Sequence, residues 1–314
     1  MSERIPLPMP FGWFRVAEST DLKSGEVKTV QYLGQEFVLF RTEDGEAHAV
    51  EPYCPHLGAH LGYGGKVEGC AIRCPFHAWK FRGDGECIEV PYAKRIPDRA
   101  RLGAFPTCEK NGIIFMWHHP HGDAPKWEVP QVPDWGEEGW LEPVYHSARV
   151  HSHPQEMAEN VVDSPHFRYV HGTPDIPEKE FTFDGHIMRA FQALTFTTPD
   201  GEIKGRVDIE SHGGSIGITR FQGIGEALLI VTGTPVADGL HETVMRFSFK
   251  ILDNDIEATR GLGKAFINEV IRQHAQDITI WEHKKFHENP VLCDGDGPIH
   301  LIRKYYQQFY AKPV

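Results

Sequence analysis

The chain is 314 residues long, enough for two domains of ordinary size, and 32 Lys+Arg against 44 Asp+Glu leave a net charge of −12. With no basic run in that acidic balance, nucleic acid is not expected as a partner. No stretch approaches the roughly 18 apolar residues of a membrane span, and the Pro-rich start from Met1 to Phe14 has no basic segment ahead of a long apolar one, so a cytoplasmic protein is expected.

Residues 27 to 52 alternate around Val30, Tyr32, Phe37, Leu39, His48 and Val50, with Glu43-Asp44-Gly45-Glu46 as a turn, which predicts an antiparallel meander. Further strands are predicted at Lys66–Ile72, Trp79–Phe81, Cys87–Pro91 and Ile113–Trp117, separated by Gly64-Gly65, Gly83-Asp84-Gly85 and Asn111-Gly112. Residues 1–120 therefore read as an all-β domain. Its end is placed near residue 120, where His118 to Pro133 are too rich in Pro and Gly for a periodic element.

Two loops of this domain carry Cys54-Pro55-His56-Leu57-Gly58 and Cys74-Pro75-Phe76-His77-Ala78-Trp79. Two thiolates and two neutral imidazoles suit a [2Fe-2S] cluster with one iron on sulfur and the other on nitrogen. A tetrahedral zinc is the rival, although zinc spacings usually set Cys-x2-4-Cys against His-x3-5-His. The two motifs, with Trp79 and Phe81 following, resemble those of Rieske proteins. Ala78 departs from that pattern, which usually has Gly. The extra cysteines of the respiratory members are absent, Ala59 and Phe76 standing beside the ligand pairs, so the resemblance is to the ferredoxin and oxygenase branch. Cys70, Cys87, Cys108 and Cys293 are expected to be free buried thiols.

In residues 121–314 a strand is predicted over Glu142–Val150 and a short helix over Pro154–Val162 carrying Asn160. Then come Asp163, His166 and His171. Asp163 and His166 would share a helix face, whereas His166 and His171 would stand about 140° apart on an ideal helix, so convergence on one ion needs a bend, which Pro165 favours. Strands are predicted at Phe181–Phe196, Ile203–Ile209, Ile216–Phe221, Ala227–Val231 and Glu242–Ile251. A long helix, about Asp255 to Phe286, puts Asp277 on the stripe of Phe266, Val270 and Trp281. A carboxylate on an apolar face needs a partner: a metal, or a cap by Arg272 or Lys284. Two His and one Asp make the facial triad that leaves Fe(II) positions open.

Glu-Asn-x-x-Asp-x-x-His-x4-His, from Glu159 to His171, resembles the mononuclear-iron motif of Rieske non-heme iron oxygenases. Pro91-Tyr92-Ala93, Asn111 to His118, Gln276 to Glu282, Asn289 to Pro298 and Tyr305 to Tyr310 further resemble the branch of 3-ketosteroid 9α-hydroxylases and cholesterol 7-desaturases. The resemblance implies an α+β fold, a Rieske domain followed by a helix-grip domain with an antiparallel sheet around the long helix, and a homotrimer. It implies cluster ligands Cys54, His56, Cys74 and His77, iron ligands His166, His171 and Asp277, and Asp163 as a bridge between a cluster histidine and an iron histidine, the alternative for Asp163 being a cap of the Ser164-Pro165 turn; Asn160 is either an ordering residue of this site or a plain helix-surface residue. Electrons would come from a separate flavin/iron–sulfur reductase, NADH entering only there, since no dinucleotide fingerprint occurs in this chain. The expected activity is monooxygenation of a small apolar substrate with O2, a steroid or sterol. The alternatives are oxidative demethylation or hydroxylation of a smaller aromatic or alkaloid-like compound, a pure electron carrier, and a zinc-stapled binding module.

Overall fold

The computed structural model describes residues 4–198 and 201–312, which fall into two compact units: Trp13–Val129, and the chain from Pro130 onward together with the N-terminal segment up to Gly12. The division lies later than residue 120 because the connecting segment packs back onto the first unit. Trp13 Nε1 donates to the Trp127 carbonyl at 2.7 Å, Trp117 Nε1 to that of Asp123 at 2.8 Å, and the rings of Trp117 and Trp127 meet edge to face at 4.8 Å. The N-terminal segment joins the second unit through backbone pairing of Phe11 N with Phe309 O at 2.8 Å and of Phe286 N with Arg4 O at 2.9 Å.

The first unit holds β1 (Gly12–Glu18), β2 (Val27–Tyr32), β3 (Gln35–Arg41), β4 (Ala47–Val50), β5 (Lys66–Glu68), β6 (Ala71–Arg73), β7 (Lys80–Arg82), β8 (Cys87–Glu89), β9 (Ala104–Phe105), β10 (Thr107–Lys110) and β11 (Ile113–His118). They form three sheets, ordered β1-β11-β10, β2-β3-β4-β9 and β5-β6-β7-β8. Lys66–Ile72 is not one strand but the hairpin β5–β6, because Gly69 turns the chain at φ +62°. Val38, Phe40, Leu61, Ile72 and Phe81 pack around Cys54 and Cys74, so the two ligand loops are held by one apolar core.

The second unit begins with β12 (Val144–Val150), α1 (Pro154–Val162) and α2 (Pro165–Tyr169). It continues through β13 (Glu180–Asp184), β14 (Ile187–Thr198), β15 (Gly201–His212), β16 (Ile216–Gln222), β17 (Ala227–Ala237), β18 (Leu240–Phe249), α3 (Ile256–Trp281) and α4 (Ile299–Gln307). The seven strands form one antiparallel sheet, β12-β18-β17-β16-β15-β14-β13. The predicted strand Phe181–Phe196 is split into β13 and β14 at Gly185, φ +54°. Leu229, Phe247 and Phe249 alternate toward α3, where Phe266, Ile267 and Val270 meet them. Gly263 lets the helix approach: a Cβ there would sit 3.0 Å from the Phe249 ring. This is the helix grip. α3 ends at Trp281, short of the predicted Phe286, because Lys284 is drawn to Glu156 at 2.8 Å and Phe286 to Arg4. Among the described residues no helix is long and apolar enough to cross a membrane.

All six cysteines are free. Cys87 is buried and Cys108 half-buried, but Cys70 and Cys293 are exposed, correcting the expectation of four buried thiols. Cys70 sits on the tight β5–β6 turn and Cys293 in the loop before α4, where neither meets a core.

Candidate metal centres

The two cysteine–histidine loops close in the same way. Cys54 N donates to Ala59 O at 2.9 Å and Gly58 N to Cys54 O at 2.9 Å; Cys74 N donates to Trp79 O at 2.8 Å and Ala78 N to Cys74 O at 3.1 Å. Each turn ends on a left-handed residue, Gly58 at φ +76° and Ala78 at φ +60°. The departure at Ala78 therefore keeps the turn and costs about 1 kcal/mol of backbone strain.

The cysteines lie deep and the histidines outside them. Burial pushes the Cys54 thiol up to about 11, and the neighbouring Cys74 adds to the rise. The His56 and His77 rings are 4.6 Å apart, His56 stacks on Trp79 at 4.6 Å and 9°, and Trp79 Nε1 donates to the Tyr92 hydroxyl at 2.8 Å. Nδ1 of both imidazoles is buried without a hydrogen-bond partner. Two inner sulfurs and two unmatched outer nitrogens are a donor set for a [2Fe-2S] group. They do not fit a single zinc, whose ligand atoms would crowd one point. Among the described residues the trio of metal-binding side chains with donor atoms that close together lies elsewhere.

That trio is His166, His171 and Asp277, their donor atoms all within 4.8 Å of one another. α1 starts at Pro154 behind His153, whose Nδ1 accepts from Gln155 N at 3.1 Å, and stops at Val162. Asp163 is extended (φ −86°, ψ 92°), and α2 restarts at Pro165. Asp163 and His166 thus do not share a helix face, and the break and the end of α2 remove the angular obstacle between the histidines. Their rings stand 5.1 Å apart at 81°.

Each imidazole is oriented from behind. His166 Nδ1 faces the Asp163 carbonyl oxygen and His171 Nδ1 faces Gln276 Oε1 at 3.1 Å. Both oxygens only accept, so the protons are on Nδ1 and the Nε2 lone pairs are free. His171 Nε2 lies 3.4 Å from Asp277 Oδ1. Asp277 is 9% exposed and its Oδ1 has no hydrogen bond. Burial lifts the carboxyl to about 6, against the pull of His171 and of a hydrogen bond from Asn160. Asn160 Oδ1 in turn accepts from Trp281 Nε1 at 3.3 Å. Neither basic residue caps the acid: Arg272 binds Glu269 and the His171 carbonyl, and Lys284 binds Glu156. An orphaned, buried carboxylate oxygen facing two imidazole nitrogens fits a divalent cation with open positions.

Asp163 is more open, its side chain 38% exposed. Its Oδ1 accepts from His166 N at a long 3.4 Å, too weak for an effective cap. Sequence reasoning gave Gln276 no role, although a polar residue beside a buried acid was a usable signal. It also missed Lys179, which donates to the Val161 carbonyl at 3.1 Å and covers the Phe167 ring at 4.0 Å. Burial pulls this lysine down to about 8. Nothing local marks it, since it reaches the site from the loop before β13.

A cavity of about 250 Å³ opens beneath α1 and α3, lined by Met157, Ala158, Val161, Ile209, Val231 and Met245 and shared with Trp281 and His274, which flank Asp277 on α3. A second, more apolar cavity of about 310 Å³ reaches α3 at Thr259, Leu262 and Phe266. Phe266 is about 16 Å along the helix from Asp277, so of the two cavities the first is the nearer to Asp277 along α3, through His274 and Trp281.

The family described as the Rieske [2Fe-2S] domain matches residues 12–106, and that described as the 3-ketosteroid 9alpha-hydroxylase C-terminal domain matches residues 116–310. A 3-ketosteroid-9-alpha-monooxygenase, oxygenase component, of Rhodococcus rhodochrous is 33% identical over 332 residues, covering 96% of this chain and 83% of the relative. A cholesterol 7-desaturase of Xenopus laevis is 31% identical, covering 99% of this chain and 74% of the relative. Dicamba monooxygenase bound to dicamba shares the fold at a TM-score of 0.72 and 17% identity, covering 95% of this chain and 96% of that one. So does a variant of Pseudomonas putida NdmA with theobromine, at 0.73 and 19% identity, covering 95% and 88%.

Proposed function

The chain belongs to the Rieske oxygenases of the 3-ketosteroid 9α-hydroxylase family, and from that premise we propose that it hydroxylates a steroid or sterol. It is an oxidoreductase, the terminal oxygenase component of a monooxygenase that depends on a separate reductase. The relatives named for 3-ketosteroid and cholesterol chemistry support the substrate class, as does the largely apolar lining of the cavity beside Asp277.

When bound, the [2Fe-2S] cluster supplies electrons singly and Fe(II) activates dioxygen, one oxygen atom going to the substrate and the other to water. In our reading Cys54 and Cys74 would hold one cluster iron and His56 and His77 the other, while His166, His171 and Asp277 would hold the mononuclear iron. Asn160 steadies the Asp277 carboxyl and Gln276 the His171 ring, so that lone pairs point inward before any ion arrives. Asp163 bridges a cluster histidine of one chain to His166 of another in a homotrimer. An exposed apolar rim around the ligand loops, Leu57, Phe76 and Tyr92 each more than 60% exposed, supports such docking. The reductase is a flavin and iron–sulfur protein fed by NADH, and the free thiols support a reducing, cytoplasmic compartment.

The observation that carries the reading is the buried His166–His171–Asp277 trio in a chain that also has a Rieske domain, because an electron carrier needs no second centre. The test is one pulse of 18O2 given to the reduced, Fe(II)-loaded protein in a mixture of 3-ketosteroids, sterols and small methoxy- and methylamino-compounds. A labelled hydroxysteroid is expected. Selective loss of a small methylated compound would retain the oxygenase and discard the steroid, and a protein that binds no second iron would be a carrier.

A further inference from the structure

The cavity beside the metal trio has a polar side whose hydrogen-bonding demand the protein does not meet. His241, Thr243 and Met245 of β18 alternate toward it, and Gly217 of β16 with Val231 and Gly233 of β17 form its floor. His241 is 3% exposed, and its Nδ1 lies 2.9 Å from the Ser152 carbonyl oxygen. A carbonyl only accepts, so Nδ1 carries the proton and Nε2 holds a bare lone pair. That Nε2 is buried without a hydrogen-bond partner. The ring cannot exchange roles without abandoning Ser152. Burial, with the His153 ring 6.1 Å away, keeps the imidazole neutral, drawn down to about 3. Thr243 Oγ1, two residues along the strand, is also buried and unpartnered.

At the other end of the cavity stands His274 of α3, its ring 6.3 Å from that of His146, which pairs with Met245. Met245 is about 13 Å along β18 from His241. Both ring nitrogens of His274 are buried and unpartnered, so its tautomer is not fixed and it can serve a donor or an acceptor. Only at His241 is the demand one-sided.

We propose that the substrate presents a hydroxyl group to His241, which accepts its hydrogen bond and selects an alcohol over the corresponding ketone. The inference rests on the steroid reading above and narrows it to hydroxysteroids. A ketone would bring lone pairs against a lone pair and leave the buried Nε2 unmet, and a site built around a hydrogen bond discriminates strongly against the analogue lacking it. An alcohol can donate to His241 Nε2, whereas a ketone, even if it accepts from the Thr243 hydroxyl, leaves that nitrogen unmet. The cavity floor is open at Gly233, where an added Cβ would meet no atom within 4 Å.

The test is calorimetric binding, without oxygen, of four androstane probes to the cluster-containing protein: the 3,17-diol, the two hydroxyketones and the 3,17-dione. At least one alcohol is expected to bind about tenfold or more tightly than the dione. In His241→Asn, whose amide can still donate to Ser152, that ratio should fall to about threefold or less. Gly233→Val should weaken all four by filling the floor. If the dione binds as tightly as every alcohol, or if a folded His241→Asn keeps the full preference, the inference fails and the steroid reading stands. If none of the four binds, both fail. Should His241→Asn not fold, the ranking by the unmodified protein decides.

Discussion

Asp277 is an acid that the fold keeps out of water with one oxygen unmatched, and a bound cation would relieve it. Asp277→Asn keeps the shape and removes the charge. Iron per chain should fall by about one atom, by metal analysis, with the visible absorption of the cluster intact; unchanged iron would remove Asp277 from the ligand set. Gln276 acts one step back. Its Oε1 fixes the His171 tautomer, so Gln276→Leu should weaken Fe(II) binding about 10- to 100-fold in a titration of the metal-depleted protein. Wild-type affinity in that variant would mean that the ring needs no such support. Asp163 differs from both, being partly exposed and making only a long contact of 3.4 Å to His166 N. Asp163→Asn should retain both metals and lose turnover, and normal coupled turnover would dispose of the bridge. Of these residues His166, His171 and Asp163 stood out locally by spacing. Gln276 offered only its place beside the acid, because its partner is a ring 105 positions earlier in the chain.

At the level of elements, α1 does two jobs: it carries Asn160 to Asp277, and by stopping at Val162 it frees the next turn to aim His166. Its start depends on a neutral His153, with Nδ1 accepting from Gln155 N and Nε2 donating to the Pro8 carbonyl at 3.1 Å. Protonation would destroy the cap, and burial draws this pKa down to about 4. Between pH about 4 and 6.5 the unfolded chain binds the extra proton and the native state does not. Stability is therefore full above pH 6.5 and falls as pH drops, by up to about 1.4 kcal/mol per pH unit for one such histidine. His153→Asn, which retains a capping side chain, should be less stable than wild type at pH 7 for want of the Pro8 contact, but the gap should narrow toward pH 4.5 in denaturant unfolding. Parallel curves would show that His153 is not held neutral. The extent of α1 was legible, since Pro154 and the Pro165 restart are local signals. Two strands were misread where Gly69 and Gly185 turn the chain, because a glycine inside a β-prone run marks a turn only when both flanks find partners.

For the whole molecule, the proposed homotrimer would let one subunit's cluster serve a neighbour's iron. On the proposed ligand sets Cys74→Ala would lose the cluster and Asp277→Asn the mononuclear iron, so each alone should be inactive. Mixed, dissociated and reassembled, they should recover a measurable part of wild-type turnover, because some neighbouring pairs combine an intact cluster with an intact trio; no recovery in mixed oligomers would confine electron transfer to one chain. The sequence by itself determined the two short loops that carry the proposed cluster donors, Cys54 with His56 and Cys74 with His77, because the bonds that close them are local. It also determined that two histidines and a buried acid were available. Only the tertiary structure brought Asp277 to His171, silenced Arg272 and Lys284 as its caps, set each histidine's tautomer by the oxygen behind it, and left His241 facing a cavity with nothing but a lone pair. The physical reason is range: a loop's geometry is fixed by neighbours in the chain, whereas an unmatched buried atom is defined by every element packed around it.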